Sequence, residues 1–506
     1  MAALRPEDYV RTDPDLAAPG IERHDVATVD HNAPRELYFA RPRIHPKQAH
    51  GTFRTVKWAV MAITLGIYYV LPWLRWDRGA DLPNQAVLID LEHNRYFFFF
   101  LEIWPQEFYF ITGLLIMATL GLFLVTSVAG RVWCGYTCPQ TVWTDLMIAV
   151  ERFWQGDRNE RLKLDKQQWG LVKIFKKGMT HLSWLLVGVA TGGAFVFYFR
   201  DAPTLAGEFA RFSAPEAAYF FLGVFTLTTY VLGGLAREQV CVYMCPWPRI
   251  QGAMTDRHTL LVGYSLERGE PRGSHKKNGS WDGRGDCIDC KACVVVCPAG
   301  IDIRNGSQLE CIQCALCIDA CNDIMAKVGR PANLIAYGTV AKQEALAAGK
   351  HEPFRPIRPR TLLYAAALML VSAVMLFKWF NRTLLEINVL HDRNPPYVQL
   401  SDGGVRNAYT VKLLNKRQEP RMLVLDTEGL PGASITIVGV DAGASRHVLV
   451  PTDNLREVRV LVTVPREGLA TLTADSMPFS LVLRDAENNS SSTRRTQFQT
   501  QQGSRP

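Results

Sequence analysis

Twelve cysteines carry most of the chemistry this chain could do, and all of them lie between Cys134 and Cys321. Cys287, Cys290, Cys293 and Cys297 form a C-x-x-C-x-x-C-x-x-x-C-P run closed by Pro298, and Cys311, Cys314, Cys317 and Cys321 repeat the spacing. Three thiolates in so short a stretch can wrap one corner of an iron–sulfur cubane. In two-cluster ferredoxins the fourth cysteine of each run ligates the other cluster. Cys287, Cys290, Cys293 and Cys321 are therefore expected to hold one [4Fe-4S] cluster, and Cys311, Cys314, Cys317 and Cys297 the second. Structural zinc would need only two C-x-x-C knuckles and would leave the repeated third cysteine surplus. Ile288, Ile301, Ile303, Ile312 and Ile318 would supply an apolar shell that limits water. One departure is Asn322, which stands where proline often follows the fourth cysteine.

A second motif occurs twice: Cys134-Gly135-Tyr136-Thr137-Cys138-Pro139 and Cys241-Val242-Tyr243-Met244-Cys245-Pro246. Residues four apart on a helix share one face, with Cβ atoms about 5–6 Å apart, so each copy could offer two thiolates in one direction. Two copies at the same membrane depth could converge into a four-sulfur site. Such a site suits Cu(I), zinc or an iron–sulfur centre, with Met244 as a possible thioether. A reversible dithiol is near the limit of disulfide geometry. The bland alternative is four buried cysteines acting as small hydrophobes, with Pro139 and Pro246 restarting helices; two matched copies favour a functional site. His181, inside an apolar run, is either a ligand or a packed polar residue. His93, His258 and His391 are isolated and expected to be solvated. No G-x-G-x-x-G between strand and helix and no Walker A run supports a nucleotide site.

The elements that must position these cysteines are mixed in kind. In a chain of 506 residues, 48% are hydrophobic and 10% aromatic, yet 21% are charged, which reads as membrane and soluble parts joined together. The net charge of +8 does not point to nucleic acid, because the basic residues sit beside apolar runs, as in a protein that contacts membrane lipid. Five apolar runs, near 56–73, 108–129, 179–199, 217–235 and 362–380, are long enough to span a bilayer. The stretch 75–107 is acidic and aromatic, with Trp73, Trp76, Trp104 and Phe97 to Phe100 suited to an interfacial belt. Arg35, Arg41, Arg43, Lys47, Arg54 and Lys57 before the first run, and eight Arg and Lys between Arg152 and Lys177, place those segments in the cytoplasm of a bacterial inner membrane. The C-terminus is then periplasmic.

From Asn381 the texture changes to short alternating runs at 408–414, 422–426, 434–438, 447–450, 457–464 and 479–483, punctuated by turn residues. That argues for a β-sandwich. The expected architecture is a multi-domain membrane protein. A cytoplasmic tail, partly disordered, covers 1–55, and 56–235 form a four-helix region carrying both C-x-Y-x-C-P copies. A cytoplasmic segment, 236–360, contains the ferredoxin-like domain at about 280–330; a fifth helix covers 361–380, a β-domain 381–485, and a flexible tail 486–506. No cleavable signal peptide is visible after Met1.

This combination resembles the cytochrome c oxidase accessory protein family called CcoG, FixG or RdxA. The resemblance spans nearly the whole chain and rests on the two Cys-x-Tyr-x-Cys-Pro copies, the double ferredoxin run with Cys-Pro-Ala-Gly-Ile-Asp at Cys297 to Asp302, and Asn394-Pro-Pro-Tyr397. It implies reduction of Cu(II) to Cu(I) for assembly of a cbb3-type cytochrome oxidase, with Cys134, Cys138, Cys241 and Cys245 handling copper as substrate or transient ligand. It also implies two [4Fe-4S] clusters, a cytoplasmic electron donor, oxidase assembly factors or copper chaperones as partners, and a periplasmic immunoglobulin-like module. Two rival readings remain. One is a quinol dehydrogenase subunit feeding a periplasmic reductase; the other is a non-enzymatic assembly scaffold.

Overall fold

Long apolar runs must satisfy their own backbone, and a helix does so within the segment. The computed structural model describes His24 and residues 44–79, 82–275, 279–382, 385–416, 419–439, 446–451, 454–469, 475–487 and 490–500. Among these residues five helices are long and apolar enough to cross a membrane: Thr52–Trp73, Tyr109–Ala129, Leu171–Phe197, Glu216–Ala236 and Pro359–Phe380. The third and fourth pack closely because small residues line their seam; a Cβ on Gly192 would stand 2.8 Å from the Leu222 carbonyl oxygen. The fourth begins as an α-helix, Glu216–Thr228, and continues as a π-helix over Thr229–Ala236.

The chain divides into two units, one up to Met375 and one from Leu376 onward. In the first unit, the 75–107 stretch is a folded cap more than an aromatic belt. It forms an antiparallel sheet of β1 (Val87–Asp90), β2 (Arg95–Phe98) and β3 (Leu101–Ile103). Phe97 and Trp104 are buried there, although Trp73, Trp76 and Phe100 are exposed as a belt requires. Arg78 orders this cap by donating to the carbonyls of Phe99, Pro83, Gln85 and Ala86 at 2.7–2.8 Å.

The cysteine-rich segment is bracketed by a two-stranded ribbon, β4 (Leu261–Tyr264) with β5 (Ile335–Gly338). It is fastened to the end of the second long helix by a hydrogen bond from Leu260 N to Val128 O, 3.0 Å. Part of the expected tail is ordered: Lys47 N donates to Val295 O at 2.8 Å, and Ala49 packs with Val296, Cys314 and Leu316. Of the remainder of 1–43, all but His24 lie outside the described residues.

The second unit contains two antiparallel sheets. Introduced in chain order, its strands are β6 (Leu385–His391), β7 (Val398–Gln399), β8 (Val405–Asn415), β9 (Arg421–Glu428), β10 (Ser434–Ile437), β11 (His447–Val450), β12 (Asn454–Val464), β13 (Ser476–Asp485) and β14 (Ser491–Gln499). One sheet runs β10-β12-β8-β6, with β7 also on β8, and the other runs β11-β9-β13-β14. Alternate residues of β8 and β12, including Tyr409, Val411, Leu413, Val460 and Val462, enter a shared core with Leu481 and Phe498. The expected flexible tail from 486 is thus corrected. Ser491–Gln499 is a strand whose polar side chains hid its pairing with β13, and its Phe498 is fully buried. Residues 501–506 lie outside the described residues. His391 is also less solvated than expected: its Nε2 meets Asn407 Oδ1 at 2.8 Å.

Candidate electron-transfer site

Each ferredoxin run places left-handed residues on both sides of its middle cysteine: Asp289 and Lys291 around Cys290, and Gln313 and Ala315 around Cys314. The reversals curl the chain around the space that the sulfurs face. In the first run a short helix, Ala292–Val295, stops before Cys297 and Pro298. In the second, without a proline at Asn322, the helix Leu316–Lys327 carries Cys321 and continues. Asn322 instead accepts from Asn333 N at 2.7 Å, tying this helix to the approach to β5.

Two cavities result. The first, of about 340 Å³, is lined by Cys287, Cys290, Cys293 and Cys321 with Ile288, Ile324 and Met325. The second, of about 350 Å³, is lined by Cys297, Cys311, Cys314 and Cys317 with Ile301, Ile303 and Ile312; Cys293 borders it as well. These groups follow the crossed pattern, with the fourth cysteine of each run beside the three of the other. Among the described residues no three His, Cys, Asp or Glu side chains are arranged to hold a single metal ion. The thiols stand around a space, as a cubane requires, and do not converge on a point. Backbone N–H groups of Ala292, Gln313 and Ile335 donate to Cys290, Cys311 and Cys321. Burial pushes Cys290 and Cys311 up to about 11 and Cys297 and Cys321 up to about 12. Thiols so buried ionise only when a metal group supplies compensating positive charge. The residues present therefore fit two iron–sulfur clusters.

The first C-x-Y-x-C-P copy lies directly against the second cavity. A Cβ on Gly135 would stand 2.8 Å from the carbonyl oxygen of Ile312 and 3.0 Å from that of Gln313. Tyr136 Oη donates to Cys314 O at 3.3 Å, and Tyr337 Oη donates to Gln313 O at 2.9 Å. Arg131, which is buried, donates its backbone N–H to Gln313 Oε1 at 2.9 Å and its guanidinium to the carbonyls of Leu309, Cys311 and Pro248. One side chain, just ahead of the first C-x-Y-x-C-P copy, thus joins the second cluster loop to the segment that follows the second copy.

The cysteine pairs are not carried on uninterrupted α-helices. Cys134 belongs to a five-residue helix, Val132–Tyr136, whereas Cys138 lies outside it and caps the next helix, Pro139–Gln155. Cys241 lies in a π-helical turn, Val240–Met244, and Cys245 is extended. The prolines after Cys138 and Cys245 impose these breaks. Even so, the two copies lie near enough to act on each other electrostatically. Burial pushes the Cys134 thiol up to about 12, and the neighbouring Cys138, Cys241 and Cys245 add to it. Cys241 rises to about 11 through burial, Cys138, Cys245 and Glu238. Cys134 Sγ donates to Oε1 of the fully buried Gln251 at 3.2 Å. His181 faces Tyr230 Oη at 2.9 Å, within the long helices and away from these contacts.

The 4Fe-4S dicluster domain family matches residues 236–340, a 4Fe-4S binding domain family matches 110–155, and the immunoglobulin-like fold at the C-terminus of FixG matches 375–501. The chain is 50% identical over 502 residues to Nitrogen fixation protein FixG of Rhizobium meliloti, covering 93% of this chain and 95% of that protein. The chain belongs to the FixG/RdxA family. Two further family members, from Cereibacter sphaeroides, agree: RdxB is 52% identical over 82% of this chain and 90% of its own length, and RdxA is 48% identical over 85% and 91%. It is an iron–sulfur electron-transfer protein of that family. The 110–155 match includes Cys134 and Cys138, which assigns the first C-x-Y-x-C-P copy to an iron–sulfur-related element.

Sequence reasoning missed Arg131, Gln251, Gln313 and Tyr337. Each acts across more than a hundred residues or through a backbone carbonyl, and local spacing carries neither signal. Arg131 could have been suspected from its place between an apolar helix end and Cys134.

Proposed function

We propose that this FixG-family protein is a cupric reductase that prepares Cu(I) for assembly of a cbb3-type cytochrome oxidase. The observation that carries this reading is the packing of Cys134-Gly135-Tyr136 against Ile312–Cys314. Held by Cys287, Cys290, Cys293 and Cys321, and by Cys297, Cys311, Cys314 and Cys317, two [4Fe-4S] clusters would supply electrons one at a time. The chain's own residues define the route: Cys293 borders both cavities, and the Ile312–Gln313 backbone separates the second from Gly135. Copper is the substrate. Cys134, Cys138, Cys241 and Cys245 would take it up by drawing together, since no three of them are yet placed around one ion, and one electron converts Cu(II) to Cu(I), the state that thiolates prefer.

The Arg- and Lys-rich segments favour a cytoplasmic ferredoxin domain, a cytoplasmic electron donor and a periplasmic C-terminal domain in the inner membrane. That domain would meet oxidase assembly factors or copper chaperones. To test the reading, the purified protein is reduced without oxygen, Cu(II) is added, and Cu(I) is followed with a chromogenic chelator. Stoichiometric Cu(I), lost in a Cys134→Ser, Cys138→Ser variant, supports it; clusters that stay reduced overturn it.

A second reading is favoured by a cavity of about 450 Å³ lined by Lys57, Gln140, Thr144, Asp145, Arg237 and Cys241, with Pro298 and Ile312 of the cluster loops. Its polar groups beside an electron route suit a quinol headgroup. Reoxidation of reduced clusters by a short-chain quinone, with no response to copper, would put this reading first.

A further inference from the structure

Two buried arginines stand beside the two cluster cavities, and they differ in one respect. Arg304, which lines the first cavity, is neutralised by Asp302, with Nη2 to Oδ2 at 2.6 Å and Nε to Oδ1 at 2.8 Å, and also meets Asp289 at 2.6 Å. Arg131, beside the second, ends every hydrogen bond on a neutral atom: the carbonyls of Leu309, Cys311 and Pro248, and Oε1 of Gln313 through its backbone N–H. Among the described residues it closes no ion pair, although it is only 6% exposed. A guanidinium taken out of water without a counter-charge is costly, and such a charge is kept where an anion completes it. The Cys134 and Cys311 sulfurs act on it most strongly, ahead of the Glu310 carboxylate and Cys245, and Cys311 also offers its carbonyl.

We infer that Arg131 is the fixed counter-charge of the second cluster and of the thiolates beside it, making that cluster the more easily reduced of the two. This rests on the two-cluster reading and sets the direction of flow. One electron leaves the Cys287, Cys290, Cys293 and Cys321 site, oxidising it, and reduces the Cys297, Cys311, Cys314 and Cys317 site, with no proton required. Net charge near a cluster is one of the main determinants of its potential, and a fixed cation raises it. The electron then waits beside Gly135, next to Cys134.

The test is a reductive titration of the copper-free protein followed by electron paramagnetic resonance, so it does not depend on whether copper is the acceptor. Wild type is expected to show two steps. Arg131→Gln should lower the upper step and leave the lower one in place, whereas Arg131→Lys, which keeps the charge, should stay near wild type. In a Cys321→Ser background the surviving step should fall with Arg131→Gln. If both steps are unchanged in Arg131→Gln, or if the lower step moves instead, the assignment is wrong. If Lys falls as far as Gln, or if neither variant holds clusters, Arg131 is a staple of three loops and its charge does not set the order. Cluster loading by Lys but not by Gln supports the charge role.

Discussion

Gly135 and Ile312 lie in backbone contact: a Cβ on the glycine would come within 2.8 Å of the Ile312 carbonyl oxygen. No side chain fits between the first C-x-Y-x-C-P copy and the loop that carries Cys311 and Cys314. Gly135→Ala should therefore separate the two at a cost of about 1–3 kcal/mol. Reoxidation of reduced clusters by Cu(II) should slow by at least about tenfold, as small displacements do at reacting sites. Stopped-flow absorbance at unchanged iron content measures it; a rate equal to wild type would remove this contact from the route.

Crossed ligation predicts which cysteine losses overlap. Cys321→Ser combined with Cys287→Ser strikes one cavity, so the pair should lose no more than about four irons per chain. Cys321→Ser combined with Cys311→Ser strikes both and should lose nearly all of the iron. Iron and sulfide analysis of the three single and two double variants decides the matter, and equal losses in the two doubles would contradict the crossing.

Glu151 is fully buried, and its Oε2 accepts from Arg161 Nη1 and from Arg237 Nη2, each at 2.8 Å. Glu151→Gln keeps the shape and removes the charge that both guanidinium groups need. The expected loss is about 3–5 kcal/mol, read as a lower Tm in detergent. A change below about 1 kcal/mol would mean that other groups compensate both arginines.

Cys134 and Cys241 are pushed up to about 12 and about 11, so in metal-free protein both are neutral thiols at pH 7. Below its pKa a thiol's reactive fraction rises about tenfold with each pH unit. Iodoacetamide labelling of Cys134 should climb that way between about pH 7 and pH 9, while exposed Cys245 labels first at pH 7. Cu(I) should bind more weakly as pH falls, because protons compete for the sulfurs. Peptide mapping by mass spectrometry reads each site; flat labelling of Cys134 over this range would contradict the burial.

β14 closes one sheet of the C-terminal domain, and Phe498 fills its core. Phe498→Ala should cost about 3–5 kcal/mol, and ending the chain after Asp485 should leave the domain open to protease. Resistance of the truncated protein equal to wild type would show that the strand is dispensable.

The sequence by itself determined whatever depends on period and spacing. Runs of about twenty apolar residues had to become helices, and strict alternation in β8 and β12 had to become strands with one buried face. The repeated cysteine spacing fixed the two ferredoxin runs and led to the expectation that their fourth members cross. The sequence did not disclose β14, whose polar residues alternate too weakly to read, or the folded 75–107 cap, whose aromatic residues have two possible uses. Only the tertiary structure decided that Gly135 meets Ile312, that both C-x-Y-x-C-P copies share one neighbourhood despite broken helices, and that Arg131 lies between them and the second cavity. Those contacts join residues more than a hundred positions apart, largely through backbone carbonyls that every residue has. Local pattern cannot encode such pairings, because packing selects them after the elements have formed.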